Sequence, residues 1–101
     1  MSRFTNTNSF NAFTTNVAVS GTPVQLANNA VPPGIAIVVK ARSTNTGTVT
    51  VGNSSANALN TATNNQRLLQ NQSLELEVQN TNSIWVDATV AGEGVEVIFE
   101  Q

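Results

Sequence analysis

Two glutamates stand close enough in the sequence to suggest acid–base chemistry. Glu75 and Glu77 are two residues apart, which in a strand places both side chains on one face about 7 Å apart. Glycosidases use carboxylate pairs about 5–9.5 Å apart. However, Leu74, Leu76 and Val78 alternate with these glutamates, so the glutamates are predicted to face solvent, away from any apolar pocket that would raise a pKa. We therefore interpret the pair as a solvated strand face.

The other groups that could carry chemistry are few. Asp87, Glu93 and Glu96 could bind calcium only with an Asp/Asn loop of suitable ligand spacing, and none surrounds them. The chain has no His, no Cys and no Tyr. Cysteine nucleophiles, Ser-His-Asp triads, imidazole or thiolate metal sites and disulfides are thereby excluded. We expect no enzymatic activity, no cofactor and no metal site.

Charge and composition also narrow the choice of partners. Four Lys and Arg residues against six Asp and Glu give a net charge of −2, which does not provide the basic surface that nucleic-acid binding requires. No apolar run approaches the roughly 18 residues of a membrane span, and the first ten residues do not resemble a secretory signal. A single domain of this size gains little net stability from its own core. Contact with another protein surface is therefore expected.

The hydrophobic pattern has a period of two, which is typical of strands. We predict strands over residues 12–19, 24–26, 35–42, 48–52, 67–69, 73–79, 84–88 and 95–99. Residues 43–47 are interpreted as a hairpin turn with Gly47 left-handed, and residues 53–66 as one long loop. Seven or eight short strands without a helical period predict an all-β fold, a single antiparallel β-sandwich or jelly roll over residues 12–101.

The last two predicted strands suggest a specific hairpin register. The apolar residues of both strands point to the same side of the sheet when Ile84 pairs with Phe99, Val86 with Val97, and Ala88 with Val95. This register places Trp85 beside Ile98 on the outer face, but it also opposes Asp87 and Glu96, which is unfavourable. An outward Trp85 beside Ile98 is a candidate interface anchor. The alternative is that another part of the same domain covers Trp85.

Residues 1–11 are polar and unpatterned, yet they contain Arg3, Phe4 and Phe10. One interpretation is a frayed terminus. The other is an extended arm whose phenylalanines and Arg3 dock on a neighbouring subunit. Phe13, at the start of the predicted domain, would belong to the same contact.

One stretch of the chain resembles a known family. Residues 40–52, Lys-Ala-Arg-Ser-Thr-Asn-Thr-Gly-Thr-Val-Thr-Val-Gly, are similar to a strand, turn and strand in small virion proteins of tailed bacteriophages. The similarity continues through Leu69, the strand from Ser73 to Val78, Ile84-Trp85-Val86 and Val95-Glu96-Val97, and covers residues 31–100. This chain has Gln70-Asn71-Gln72 where such proteins often have Pro-Gly.

The resemblance implies a structural role in a virion. Its most direct form is a capsid decoration, or cement, protein on the capsid surface that bridges subunits of the major capsid protein, often as a homo-oligomer such as a trimer. Arg3, Phe4, Phe10, Phe13, Trp85 and Ile98 are the interface residues expected on this hypothesis. Two alternatives remain open. One is a tail, baseplate or head-fibre component, and the other is a glycan-binding adhesin module that uses Trp85 and residues 53–66.

Overall fold

The computed structural model describes residues 9–100, and eight strands account for most of its regular structure. The strands are β1 (Phe10–Asn16), β2 (Val24–Gln25), β3 (Ile37–Ala41), β4 (Val49–Gly52), β5 (Gln66–Leu68), β6 (Ser73–Leu76), β7 (Trp85–Ala88) and β8 (Gly94–Glu100). A four-residue helix, α1 (Ser55–Ala58), and a 3₁₀ turn over Thr81–Ser83 complete the elements. The predicted all-β fold with seven or eight strands is confirmed.

The strands form two antiparallel sheets. The first sheet has the order β1-β8-β3-β6, and the second has the order β2-β7-β4-β5. The chain folds as one long nested hairpin, because β1 pairs with β8, β2 with β7, β3 with β6, and β4 with β5. The β3–β8 and β4–β7 pairs then join these hairpins within each sheet. This is the jelly-roll arrangement of a two-sheet sandwich.

One apolar cluster fills the space between the sheets. Side chains that alternate along each strand supply it, as the period of two predicts. Its buried members are Val17, Leu26, Val31, Ile37, Val39, Ala41, Val49, Val51, Leu68, Ile84, Val86, Ala88, Val95, Val97 and Phe99. Phe13, Val24, Ile35, Leu74, Leu76 and Val78 are partly buried and pack against it. The inward faces predicted for residues 73–79, 84–88 and 95–99 are therefore confirmed.

The predicted hairpin around residues 43–47 is wrong. β3 belongs to the first sheet and β4 to the second, so these residues cross from one sheet to the other. Gly47 is not left-handed. It is needed for close approach instead, since a Cβ there would overlap Thr89 Oγ1 and lie 2.8 Å from Val90 Cγ2.

The predicted hairpin between residues 84–88 and 95–99 is also wrong. β7 lies in the second sheet and β8 in the first. Trp85 stands opposite Gln25 and Gly52, whereas Ile98 stands opposite Ala12 and Val38. The predicted apolar ladder is instead divided between facing sheets, where its side chains meet across the core. Alternation determines which side chains point inward, but it does not determine which strands are neighbours.

β1 differs from the predicted strand over residues 12–19 at both of its ends. β1 ends at Asn16, so Val19 lies outside it and is 60% exposed. Phe10 and Asn11, predicted to belong to the arm over residues 1–11, are the first residues of β1. Residues 1–8 of that arm lie outside the described residues.

The predicted loop over residues 53–66 contains α1, and polar side chains of this loop and of β4 hold it. The Ser54 hydroxyl accepts the Asn57 N–H at 3.1 Å as an N-cap. The Thr50 hydroxyl donates to the Ala58 carbonyl, and the Asn65 amide donates to the Asn57 carbonyl at 2.7 Å. This segment is ordered by side-chain to backbone hydrogen bonds rather than by a core of its own.

Glu93 fixes the segment that connects β3 in the first sheet to β4 in the second. Its carboxylate accepts the Gly47 N–H at 2.9 Å, the Thr46 N–H at 2.7 Å and the Thr46 hydroxyl at 2.8 Å. The backbone bonds from Gly47 and Thr46 lower the pKa of Glu93, and the Thr46 hydroxyl acts in the same direction, although desolvation opposes them. Hydrogen bonds that favour the charged form produce this direction of shift.

The lowered pKa of Glu93 predicts a pH-dependent contribution to stability. Because the pKa is lower in the folded chain, the contribution is complete above the unfolded value of about 4.3 and is lost as pH falls through the folded value. We expect Glu93→Gln to lower the unfolding temperature at pH 6–7 and to approach the parent protein at pH 3. Glu75→Gln, at an exposed position on β6, is the matched control. A gap between Glu93→Gln and the parent that widens towards pH 3 would contradict the assignment.

Candidate interaction surface

The outer face of the first sheet carries an exposed apolar cluster. Ala12, Ile98 and Val38 lie in one row across β1, β8 and β3. Phe10, two residues before Ala12, is on the same face. Phe10 is 62% exposed and Ile98 is 46% exposed. We call Phe10, Ala12, Val38 and Ile98 the β1–β8 patch.

Charged side chains of both signs border this patch. Lys40 and Glu96 are opposite each other on β3 and β8, and Glu75 is opposite Val38. Arg42 Nε lies 3.8 Å from Glu96 Oε2. A shallow groove of about 310 Å³ runs from Ala12 and Val38 to Lys40 and Glu96. An apolar centre with a polar rim is the usual composition of a protein–protein contact surface.

The other residues expected at the interface are not all near this patch. Phe13 faces the opposite way, stands beside Val97 in the register and packs against the core. Trp85 lies in the other sheet, where it is half-buried. The predicted pairing of Trp85 with Ile98 is therefore wrong. Arg3 and Phe4 lie outside the described residues.

A second recess opens between the sheets at the edge formed by β5 and β6. It measures about 490 Å³. Apolar side chains, among them Leu74, Leu76 and Val78, line it together with four side-chain amides, Asn53, Asn57, Asn64 and Gln66. No charged residue lines this cleft. The sequence shows only an uncharged loop over residues 53–66 and a later strand with an apolar residue at every second position. The cleft between them could not be predicted, because their proximity depends on how the two sheets pack.

Asp87 is a buried polar centre that the sequence analysis did not identify. It is 0% exposed on β7, opposite Thr50. Its carboxylate accepts the N–H groups of Gly21 at 3.0 Å, Asn60 at 2.7 Å and Ala88 at 2.8 Å. These bonds attach two connecting segments to the outer face of the second sheet. Asp87 is therefore structural, and it lies in the second sheet, whereas its predicted partner Glu96 lies in the first.

Within residues 9–100, no three acidic, histidine or cysteine side chains are grouped as a metal ion would require. Comparison with known proteins adds no further assignment. No family model, curated protein or solved structure matches this chain. Over the same residues, no helix has the length and apolar character needed to cross a bilayer. Within the described residues, the β1–β8 patch is an exposed apolar surface and the cleft at β5 and β6 is an uncharged recess.

Proposed function

We propose that this protein is a structural virion protein, specifically a capsid decoration protein that docks on the phage head through the β1–β8 patch. The observation that carries the proposal is the exposure of Phe10 and Ile98, at 62% and 46%, beside Ala12 and Val38. Exposed apolar clusters with polar rims mark protein-binding surfaces, and large buried side chains at their centres supply most of the binding energy.

The fold is compatible with this role without requiring it. Jelly rolls occur in viral capsid proteins and in lectins, and a fold does not by itself define a function. The resemblance of residues 31–100 to small phage virion proteins is the reason for preferring the phage head. Docking would stabilise the folded chain by mass action, since a partner that binds only the native state shifts the folding equilibrium towards it.

Binding to isolated phage heads tests the proposal. Purified protein is mixed with heads lacking it, or with tails, and the bound fraction is measured after sedimentation. We expect saturable binding to heads, and Phe10→Ser and Ile98→Ser each to weaken it about tenfold or more. Leu69→Ser is the matched control, since Leu69 is 56% exposed but follows β5 in the second sheet.

Three results of that experiment would count against the proposal. Equal binding by the patch variants and by Leu69→Ser would exclude the patch as the docking surface. Binding to tails alone would favour the tail or baseplate alternative. Binding to neither particle would contradict a virion role.

The N-terminal residues provide a separate prediction. Deleting residues 1–8 leaves β1 complete, because β1 begins at Phe10, but removes Arg3 and Phe4. If these residues reach a neighbouring subunit, the truncated protein should occupy fewer sites on heads and protect them less against heat. Unchanged occupancy and heat resistance would exclude a contribution from this segment.

The uncharged cleft favours glycan binding as a second candidate function. Side-chain amides can hydrogen-bond sugar hydroxyls, and Asn53, Asn57, Asn64 and Gln66 border an apolar floor there. Trp85 lies opposite Gly52, which also lines the cleft. A glycan array with the parent protein and the Asn64→Ala variant tests this candidate. Specific binding that the variant loses would support it, and absence of binding across the array would count against it.

A further inference from the structure

We propose that two copies of this chain pair antiparallel through β1, which would join their first sheets into one sheet of eight strands. β1 is an edge strand, and β8 is the only strand paired with it among residues 9–100. An edge strand presents unpaired N–H and C=O groups that can accept another strand. The inference is independent of the proposed virion role.

β1 lacks the features that protect the other three edges. β2 has only two residues, β5 has three and includes Arg67, and β6 has four and includes Glu75. Short length and charged side chains are the common means by which proteins prevent edge pairing. β1 has seven residues, Phe-Asn-Ala-Phe-Thr-Thr-Asn, with no charge, no proline and no glycine. It is therefore the edge best suited to pair with another strand.

The charge distribution selects a second copy as the occupant. A neutral strand pairs with its own copy without placing like charges opposite each other. The carboxylates that stand opposite β1 in the register, Glu96 and Glu100, belong to β8, one strand further in. After pairing, the β8 strands of the two copies would be three strand spacings apart, about 14 Å. Salt screens charges over about 8 Å under physiological conditions, so these glutamates would not oppose the dimer.

Phe13 fixes the expected register. It lies in the middle of β1, packs against the core and remains partly exposed at the open edge of the sandwich. A two-fold axis through Phe13 would place it opposite the partner's Phe13, where each ring covers the other. In this register Ala12 is opposite the partner's Thr14, and Phe10 is opposite the partner's Asn16. Cross-strand aromatic pairs of this kind stabilise antiparallel sheets.

The symmetry of this contact has two consequences. A self-complementary contact between identical strands has two-fold symmetry, so it generates a dimer and not the trimer expected from the resemblance. Directly opposed residues point to the same side of a sheet. The β1–β8 patches of the two copies would thus lie on the same outer face and form one larger docking surface.

Two charge variants at the same positions test both the contact and its register. Ala12→Lys/Thr14→Lys places a lysine opposite a lysine at both positions where residue 12 of one copy faces residue 14 of the other. Ala12→Glu/Thr14→Lys places a glutamate opposite a lysine at each. Both residues are exposed in the monomer, and circular dichroism checks that each variant folds. Gln25→Lys, at an exposed position on β2, controls for the addition of a lysine.

Sedimentation velocity and light scattering over a range of concentrations give the result. We expect the parent protein and Gln25→Lys to reach twice the 10.6 kDa mass of one chain. The dissociation constant of Ala12→Lys/Thr14→Lys should rise at least tenfold, and Ala12→Glu/Thr14→Lys should restore dimerisation at low salt.

A parent protein that remains monomeric or forms trimers overturns the proposal, as does a double-lysine variant that dimerises normally. Failure of the Glu/Lys variant to recover overturns the register. Head binding is measured separately, so failure of the dimer leaves the proposed function unaffected.

Discussion

Replacing Asp87 by alanine is expected to lower the free energy of unfolding by about 3–5 kcal/mol, because three N–H donors lose their acceptor. Asp87 is fully buried, and its carboxylate accepts the N–H groups of Gly21, Asn60 and Ala88. A buried donor left without an acceptor costs about 1–3 kcal/mol, and water that enters the space would recover part of that cost. Urea unfolding of the two proteins measures the difference.

Asparagine at position 87 separates the hydrogen bonds from side-chain volume. Asp87→Asn keeps one carbonyl oxygen at nearly the same volume, but its NH₂ group would face an N–H donor. We expect its stability to lie between the parent protein and Asp87→Ala. Glu96→Gln, at an exposed position on β8, controls for the loss of one negative charge. If Asp87→Ala were as stable as the Glu96→Gln control, the carboxylate would not hold the two connecting segments.

The inward faces and the class of fold could be predicted from the sequence because they depend on local alternation. Ile84, Val86 and Ala88 are predicted to lie on the inward face of a strand, and all three are buried. The same holds for Val95, Val97 and Phe99. A strand with one face in the core requires this pattern wherever its neighbours lie, so the pattern contains no information about which strands pair.

Strand neighbours and the β1–β8 patch could not be predicted in this way. Consecutive strands in a jelly roll often change sheet, so the short connections after β3 and β7 cross the sandwich instead of closing hairpins. Ile98 was expected beside Trp85 and instead lies between Ala12 and Val38. That row joins residues far apart in sequence, and only the pairing of β1, β8 and β3 brings them together.

Buried polar residues were missed for a related reason. Asn45 looks like any other asparagine of a turn, yet it is 2% exposed. Its amide donates to the Gly94 carbonyl at 2.9 Å and its carbonyl accepts the Gly94 N–H at 3.3 Å. Because the chain has 15 asparagines, composition cannot distinguish an asparagine that hydrogen-bonds a distant strand from one that faces solvent. Burial and long-range partners identify it.

Gly94 provides the second large prediction, because the fold leaves no space for a side chain at the start of β8. It is opposite Asn16 in the β1–β8 pair and is held on another side by Asn45. A Cβ at this position would overlap the Thr15 carbonyl oxygen and lie 2.7 Å from Asn16 Cα. These are backbone atoms, so no side-chain rotation can relieve the overlap, and β1 must move away from β8.

We expect Gly94→Ala to destabilise the protein by about 3 kcal/mol, at the upper end of the usual cost of overpacking. Gly92→Ala is a matched control two residues away, where φ is +87° and no atom lies within 4 Å of the added Cβ. That control should cost only the roughly 1–2 kcal/mol of left-handed backbone. Hydrogen exchange distinguishes the two mechanisms, since only Gly94→Ala should accelerate exchange of the β1 amides. Equal exchange of the β1 amides in both variants would show that the close contact between Gly94 and Thr15 does not hold β1 in place. The position of β1, the edge through which two copies are proposed to pair, would then depend only on the other β1–β8 pairs.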